Sequence, residues 1–459
     1  MNNRIFIFLI LSTFLLAERG DLINVQVMAT KDLLNNQGYI DNELSTLAGD
    51  SFFNLTVEYG FWLYNITYET IDKYGNPIEA SGVIAYPRVD WPELANQAFP
   101  TLSYQHGTVL EKNNVTSMSG LWVLPALIAG YGYVYVEPDY LGLGISEGLH
   151  PYHIKELYAS DVVDILRATK QFSDESDQFQ VNDQLFLAGY SEGGYATMAT
   201  HQIIERDYVD EFDITVSFPM AGAYDMSGIM TNVMLNYTPY GQPFYFPYVL
   251  FSFCDNYQAT LAPIEDYLLP EYANTLPELF DGMHSGDEIN NIMPSIPITI
   301  MKPDSIESFS SDQTHPLRLA LQENDIYDWT PQSPMYIFHG EADELVPHEN
   351  AELAYEHFIG NGANDIYLEI LPSNLGGHQD AAPFALLGAF TVAEELKIIN
   401  ELGDINQDGL IDVLDIIATV NIIINEAENS YQLWASDLNE DDSIDIFDII
   451  LLVDLIILI

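Results

Sequence analysis

A serine framed by glycines, Gly189-Tyr190-Ser191-Glu192-Gly193, follows the short apolar run DQLFL and precedes the helical stretch TMATHQIIER. A nucleophile on a tight strand-to-helix turn needs small neighbours, because the backbone there is strained and close-packed. The helix start adds a positive dipole and the free N–H of Glu192 for a developing oxyanion. Acyl transfer also needs an imidazole to take the serine proton and an acid to fix its tautomer, in the chain order serine, acid, histidine. FHGEADELVP offers Asp343 in a loop after an apolar strand, with Glu341 and Glu344 as alternative acids. LPSNLGGHQD offers His378 in a glycine loop after the last strand. His339, just before the acid loop, and His348 and His357, on a predicted surface helix, are weaker candidates. A second oxyanion donor is expected after an early strand, where YQHGTV turns at His106-Gly107 and presents the Thr108 N–H. His106 reads equally as a packing residue, and the serine turn itself as a structural glycine corner.

The elements around these residues read as a parallel sheet. SFFNLTVEYGFWLYNITYETID and IEASGVIAYPR are strand-like, with the turn signal KYGNP between them, and form a predicted hairpin. Single strands then alternate with helices. FPTLSYQHGT is a strand, LWVLPALIAGYG a helix ended by glycine, and YVYVEPDYLGLG a strand ending in a glycine loop. YASDVVDILRATKQF is an amphipathic helix with Val162, Val163, Leu166 and Phe172 on one side. Residues from about 224 to 330, rich in Tyr, Phe, Pro and Met, break the rhythm and suggest a cap. The rhythm resumes with PMYIFHGEAD and DIYLEILPSNLGGHQD, and this domain ends near residue 400.

Beyond it the chain repeats itself. GDINQDGLIDVLDII recurs as SDLNEDDSIDIFDII. The alignment sets Asp404, Asn406, Asp408, Asp412 and Asp415 beside Asp437, Asn439, Asp441, Asp445 and Asp448. Oxygen side chains at loop positions 1, 3, 5, 9 and 12 match the ligand spacing of a calcium loop, with the position-7 carbonyls of Leu410 and Ser443 completing it. Gly409 makes the sharp turn in the first loop, whereas the second has Asp442 there.

With 13 basic residues against 69 acidic ones, the net charge of −56 excludes a nucleic-acid footprint. Two readings of the acidity stay open: solubility in salty media, where repulsion is screened, and calcium binding. The single cysteine, Cys254, cannot form an internal disulfide. Arg4, an apolar run of about a dozen residues and Ala17 give the start of the chain a secretory-signal pattern, too short for a comfortable membrane span. Residues 1–20 are therefore read as a leader, 21–400 as the main domain and 401–459 as a small module, in an exported, extracellular protein.

The ordered set SYQHGT, EPDYLGLG, GYSEGG, HGEADELVP and GGHQD resembles the α/β-hydrolase superfamily over about residues 50 to 395. The pair DYLGLG and GYSEGG is similar to the secretory lipase family and its bacterial esterase relatives. The resemblance implies an α/β-hydrolase fold with a helical cap, and ester hydrolysis through an acyl-Ser191 intermediate with Asp343 and His378. Gly107, Thr108 and Glu192 are the expected oxyanion donors, and no catalytic cofactor is implied. The C-terminal duplication resembles a type I dockerin. That implies a small all-α module with structural Ca2+ and a cohesin-type scaffold partner met by Val413-Leu414 and Ile446-Phe447. The expected substrate is an ester of a lipid or of an acylated carbohydrate, the latter within a polysaccharide-degrading assembly. A serine peptidase of the same fold would be supported by a β-propeller sequence ahead of the hydrolase region, and none is there. A noncatalytic calcium-dependent binder sits badly with a complete serine, acid, histidine order.

Overall fold

The computed structural model describes residues 19–48, 55–90, 97–176, 178–425, 430–439, 441 and 443–458. Most of the expected leader, and Asp442, lie outside these. Arg19 and Gly20, counted with the leader above, belong to the fold instead. Arg19 Nε donates to both Asp164 carboxylate oxygens at 2.9 and 2.8 Å, and the Gly20 N–H donates to the Glu69 carbonyl at 2.8 Å.

Among the described residues, one ten-stranded mixed sheet organises the fold. Its strands are β1 Leu22–Lys31, β2 Gly60–Ile71, β3 Pro77–Arg88, β4 Gln97–Gln105, β5 Val134–Pro138, β6 Gln180–Tyr190, β7 Ile214–Met220, β8 Met335–Gly340, β9 Ile366–Leu371 and β10 Asn400–Glu401. Their spatial order is β1-β2-β3-β5-β4-β6-β7-β8-β9, with β10 pairing the start of β4. β1, β2, β3 and β5 pair antiparallel, and the run β5-β4-β6-β7-β8-β9 is parallel. In the β2–β3 hairpin, one Asp72 carboxylate oxygen accepts the N–H groups of Tyr74 and Asn76 at 2.8 Å each, and Gly75 takes φ +77°.

Helices cover both faces of the sheet, as parallel strands buried on two sides require. On one face the helix His378–Leu396 sets Ala381, Ala385, Ala389 and Ala393, four residues apart, against Phe186, Val216, Phe218 and Phe338. On the other, Lys155–Glu175 buries Val162, Val163 and Leu166 with Leu185, Leu187 and Ile214. This helix is buried on more than the apolar side expected for it, because Asp161 and Asp164 are buried too.

Between β7 and β8 the chain runs through short helices, among them Tyr245–Asn256, Pro303–Ser311 and Pro316–Glu323. Their Phe, Tyr, Met and Leu side chains share one core with Tyr140, Tyr158 and Tyr195. Half-buried Cys254 lies on the first of these helices. After β10 come helices Val413–Asn425, Ser430–Ser436 and Ile446–Leu458. Ile405, Ile422, Tyr431 and Leu452 pack around Ala98 of β4, so this segment is seated on the N-terminal end of the sheet. Among the described residues no helix is long and apolar enough to cross a membrane.

Candidate active site

From β4 the chain runs to β5 on one side and then crosses over to β6 on the other, so the carboxyl ends of β4 and β6 form the crevice where such sheets bind ligands. Ser191 sits at the end of β6 and caps the helix Glu192–Asp207, with φ 62° and ψ −121°. The glycines around it are required sterically. A Cβ on Gly193 would lie 1.9 Å from the Gln105 carbonyl, and one on Gly189 would lie 2.3 Å from the Gly193 carbonyl. The sharp turn thus presses against the end of β4, and the His106-Gly107-Thr108 loop follows directly.

His378 begins its helix after β9, and its Nε2 is 2.8 Å from Ser191 Oγ. Its Nδ1 is 2.5 Å from Asp343 Oδ2. A carboxylate only accepts, so Nδ1 carries a proton and the Nε2 lone pair faces the serine. Asp343 Oδ1 accepts the N–H groups of Leu345 and Val346 at 3.0 and 2.8 Å. Burial alone would raise this carboxyl; hydrogen bonds from His339 and His378 outweigh it and hold the group well below the usual carboxylate range. His339 Nε2 lies 3.2 Å from Asp343 Oδ2 and 2.8 Å from the Val346 carbonyl, so it braces the acid loop.

The neighbouring acids hold backbone. Glu344 accepts the His378 N–H at 3.0 Å, and Glu341 accepts the Ser373 N–H at 3.0 Å. His348 lies near Glu349 and Glu352, and His357 pairs with Asp328. His106 is buried against Tyr140, ring centroids 4.2 Å apart. Thr108 Oγ1 is 3.0 Å from the Tyr152 hydroxyl, and Glu192 is the first residue of its helix.

Beside Ser191 and Glu192 opens a cavity, with about 640 Å³ of empty space counting the solvent at its mouth. Met226, Met230, Met234, Tyr240, Tyr245 and Phe246 of the insertion after β7 line it with them. The surface is apolar at the nucleophile, which suits an acyl group. Sequence reasoning missed His150, Tyr158 and His153. All three are buried; His150 and Tyr158 touch Glu192 across 42 and 34 positions of sequence, and His153 packs on Tyr195. The one local signal was the glycine loop after β5, whose Gly142 and Gly144 have φ +79° and +56°.

In the C-terminal segment the Asp and Asn side chains among the expected ligands accept hydrogen bonds from loop backbone. Asp415 is buried; its Oδ1 accepts from Ile405 and Asn406, and its Oδ2 from Asp412. Asp404 accepts from Asp408 and Gly409, Asn406 from Asp408, and Asp408 from Leu410. The second loop repeats this: Asp448 accepts from Asn439 and Asp445, Asp437 and Asn439 from Asp441, and Asp441 from Ser443. The donors are all oxygen, the set a hard cation takes. Among the described residues, however, no three His, Cys, Asp or Glu side chains gather at one point as a metal cluster would.

No protein-family model and no curated protein matches the sequence. Solved structures do. A candidate hydrolase from Legionella pneumophila is 28% identical, with TM-score 0.72, over 82% of this chain and 98% of that one. The rice cell wall degrading esterase LipA from Xanthomonas oryzae is 24% identical, with TM-score 0.71, over 82% and 98%. Candida antarctica lipase A in its closed state is 15% identical, with TM-score 0.60, over 83% and 82%. These likenesses are of fold, and the fold they share with this chain is that of the α/β-hydrolases.

Proposed function

We propose that the protein is a serine carboxylester hydrolase. The observation that carries this is the unbroken hydrogen-bonded line from Asp343 through His378 to Ser191 at the mouth of an apolar cavity. In this reading His378 Nε2 takes the Ser191 proton as Oγ attacks the ester carbonyl. The N–H of Glu192, with that of Gly107 or Thr108, receives the carbonyl oxygen as it becomes anionic. The C–O bond to the alcohol breaks, and the alcohol leaves with the proton held by His378. Water then attacks the acyl-Ser191 ester, His378 takes its proton, and the acid is released as Ser191 is restored. The insertion after β7 acts as a cap that holds the acyl group and excludes water.

Kinetics with p-nitrophenyl esters of increasing chain length, triglycerides, acetylated xylan and peptide p-nitroanilides test the reading. Ester turnover without anilide cleavage is expected; anilide cleavage alone would make the protein a peptidase. LipA is named for cell-wall degradation, which favours acylated carbohydrate as a substrate beside lipid esters.

The two C-terminal loops are read as structural calcium loops. Asp404, Asn406, Asp408, the Leu410 carbonyl, Asp412 and Asp415 would hold one ion, with Asp437, Asn439, Asp441, the Ser443 carbonyl, Asp445 and Asp448 around the other. Val413 and Leu414 are 61% and 54% exposed, and Ile446 and Phe447 58% and 61%. Paired apolar residues left in water at matching positions of a repeat support a docking face for a cohesin-type scaffold. Together with the leader pattern, this favours an extracellular site of action.

A further inference from the structure

Glutamate directly after the nucleophile poses an electrostatic problem. Its N–H is to receive an oxyanion, while its own carboxylate is buried one residue from Ser191. An unpaired charge there would be costly to bury and would oppose the negative charge of the transition state. The side chain is not unpaired. Glu192 Oε1 lies 2.8 Å from His150 Nε2 and accepts from the Tyr158 hydroxyl at 2.6 Å, while Oε2 has no hydrogen-bond partner among the described residues.

The protonation of His150 follows from geometry. Its Nδ1 is 2.8 Å from the Leu141 carbonyl, which only accepts, so Nδ1 carries a proton. Its short contact with Glu192 needs another proton between Nε2 and Oε1, on either atom. In both forms the pair is net neutral. The imidazole stacks on Tyr140 at 5.5 Å, and its backbone is closely packed: a Cβ on Gly142 would come within 2.4 Å of the His150 backbone nitrogen. The same loop reaches the other oxyanion segment, where the Tyr140 hydroxyl donates to the His106 carbonyl at 3.2 Å.

Resting on the proposed hydrolysis at Ser191, we propose that His150 is a positioning residue for the oxyanion site. It neutralises the Glu192 carboxylate and clamps the Glu192 peptide, while Tyr140 braces the opposite donor loop. Burial alone would raise the Glu192 carboxyl; the charge and hydrogen bond of His150 hold it below its ordinary range.

The test is a set of variants of the full chain assayed on a p-nitrophenyl ester. His150→Gln strands the Glu192 charge, and kcat is expected to fall by about 100-fold, the scale of a lost oxyanion donor, with KM changed less than about twofold. Adding Glu192→Gln removes the stranded charge, and the double variant should recover at least about tenfold of that loss. Tyr158→Phe keeps the ring and removes one donor to Oε1; it should lower kcat by about threefold or more at unchanged KM, and it decides the matter if His150→Gln does not fold. The proposal is overturned if His150→Gln keeps kcat within about threefold of the parent, if the folded double variant is no faster than His150→Gln, or if Tyr158→Phe leaves kcat unchanged. Ser191→Ala in the same assay separates this failure from that of the hydrolase reading: full activity there would remove both.

Discussion

The Ser191 hydroxyl has no acidity of its own to make it a nucleophile at neutral pH; its position beside His378 Nε2 supplies the base. Ser191→Ala is therefore expected to fold normally and lose ester turnover by at least about 100-fold, measured as kcat/KM beside a thermal melt. Asp343→Asn should lower kcat by about 10³- to 10⁴-fold with KM nearly unchanged, since an amide no longer fixes the Nδ1–H tautomer. Steady-state kinetics showing that loss for Glu341→Gln or Glu344→Gln would move the acid role to that residue. Asp343 also bears on stability. Its folded pKa lies below the ordinary 3.8, so its contribution is present above that value and fades as pH falls through the acid range. At this scale the sequence was informative because glycines mark Ser191 and His378, and the acid loop follows an apolar strand. His150 and Tyr158 were illegible as partners because one lies in the glycine loop after β5 and the other on the helix Lys155–Glu175, and only the fold brings both to Glu192.

The helix Lys155–Glu175 shows how an element can mislead. Its Val and Leu spacing gives one apolar side, and its aspartates look like the wet side. Instead, β2 covers that side as well: Tyr68 donates to Asp161 at 2.8 Å, and Thr70 donates to Asp164 at 2.7 Å. Burial, opposed by the Tyr68 hydrogen bond and assisted by the charges of Asp164 and Asp139, raises Asp161 to about 8. A carboxyl raised on folding gives stability that is complete below its unfolded value near 4 and is lost as pH rises through the folded value. Melting curves from pH 4 to 9 should thus show a decline that Asp161→Asn flattens, with the variant more stable at pH 8 by an amount of order a few kcal/mol. Parallel curves for the two proteins would mean that Asp161 is ionised in the folded state at all these pH values. The hairpin of β2 and β3 was readable from KYGNP, whereas β1 and the helix Leu33–Ala48 were not singled out. β1 is an edge strand with many residues in water, and its weak apolar signal follows from that.

Across the whole molecule, the two ends of the sheet do different work. The carboxyl ends of β4 and β6 carry the Ser191 turn and the donor loop, and their amino ends carry the C-terminal segment. The repeat in that segment was legible because its oxygen spacing recurs; its attachment was not, since the boundary read near residue 400 is crossed by contacts from side chains with no pattern. Asn182 Nδ2 donates to Asn400 Oδ1, and Asn400 Nδ2 to Asp404 Oδ2, both at 2.6 Å. The Asp183 N–H donates to Gln407 at 2.9 Å, and Gln407 returns a hydrogen bond to the Asp183 carboxylate. If the loops take calcium, its binding energy is folding energy for the segment, because the carboxylates repel one another without the ion. Chelation should then reduce the helical signal of residues 413–458 and lower the melting temperature of the main domain, which loses the cover over Ala98. Ester turnover at 25 °C should stay within about twofold, because Asp183 and Tyr190 lie about 20 Å apart along β6 at the rise of a parallel strand. The first loop, with Gly409 at the sharp turn, should hold its ion more tightly than the second. Calorimetry and circular dichroism of the full chain, with and without chelator, check each part. A calcium stoichiometry of zero, or helicity and melting unchanged by chelator, would remove calcium from the account of these loops and leave their order to the backbone hydrogen bonds of Asp404, Asp415 and Asp448.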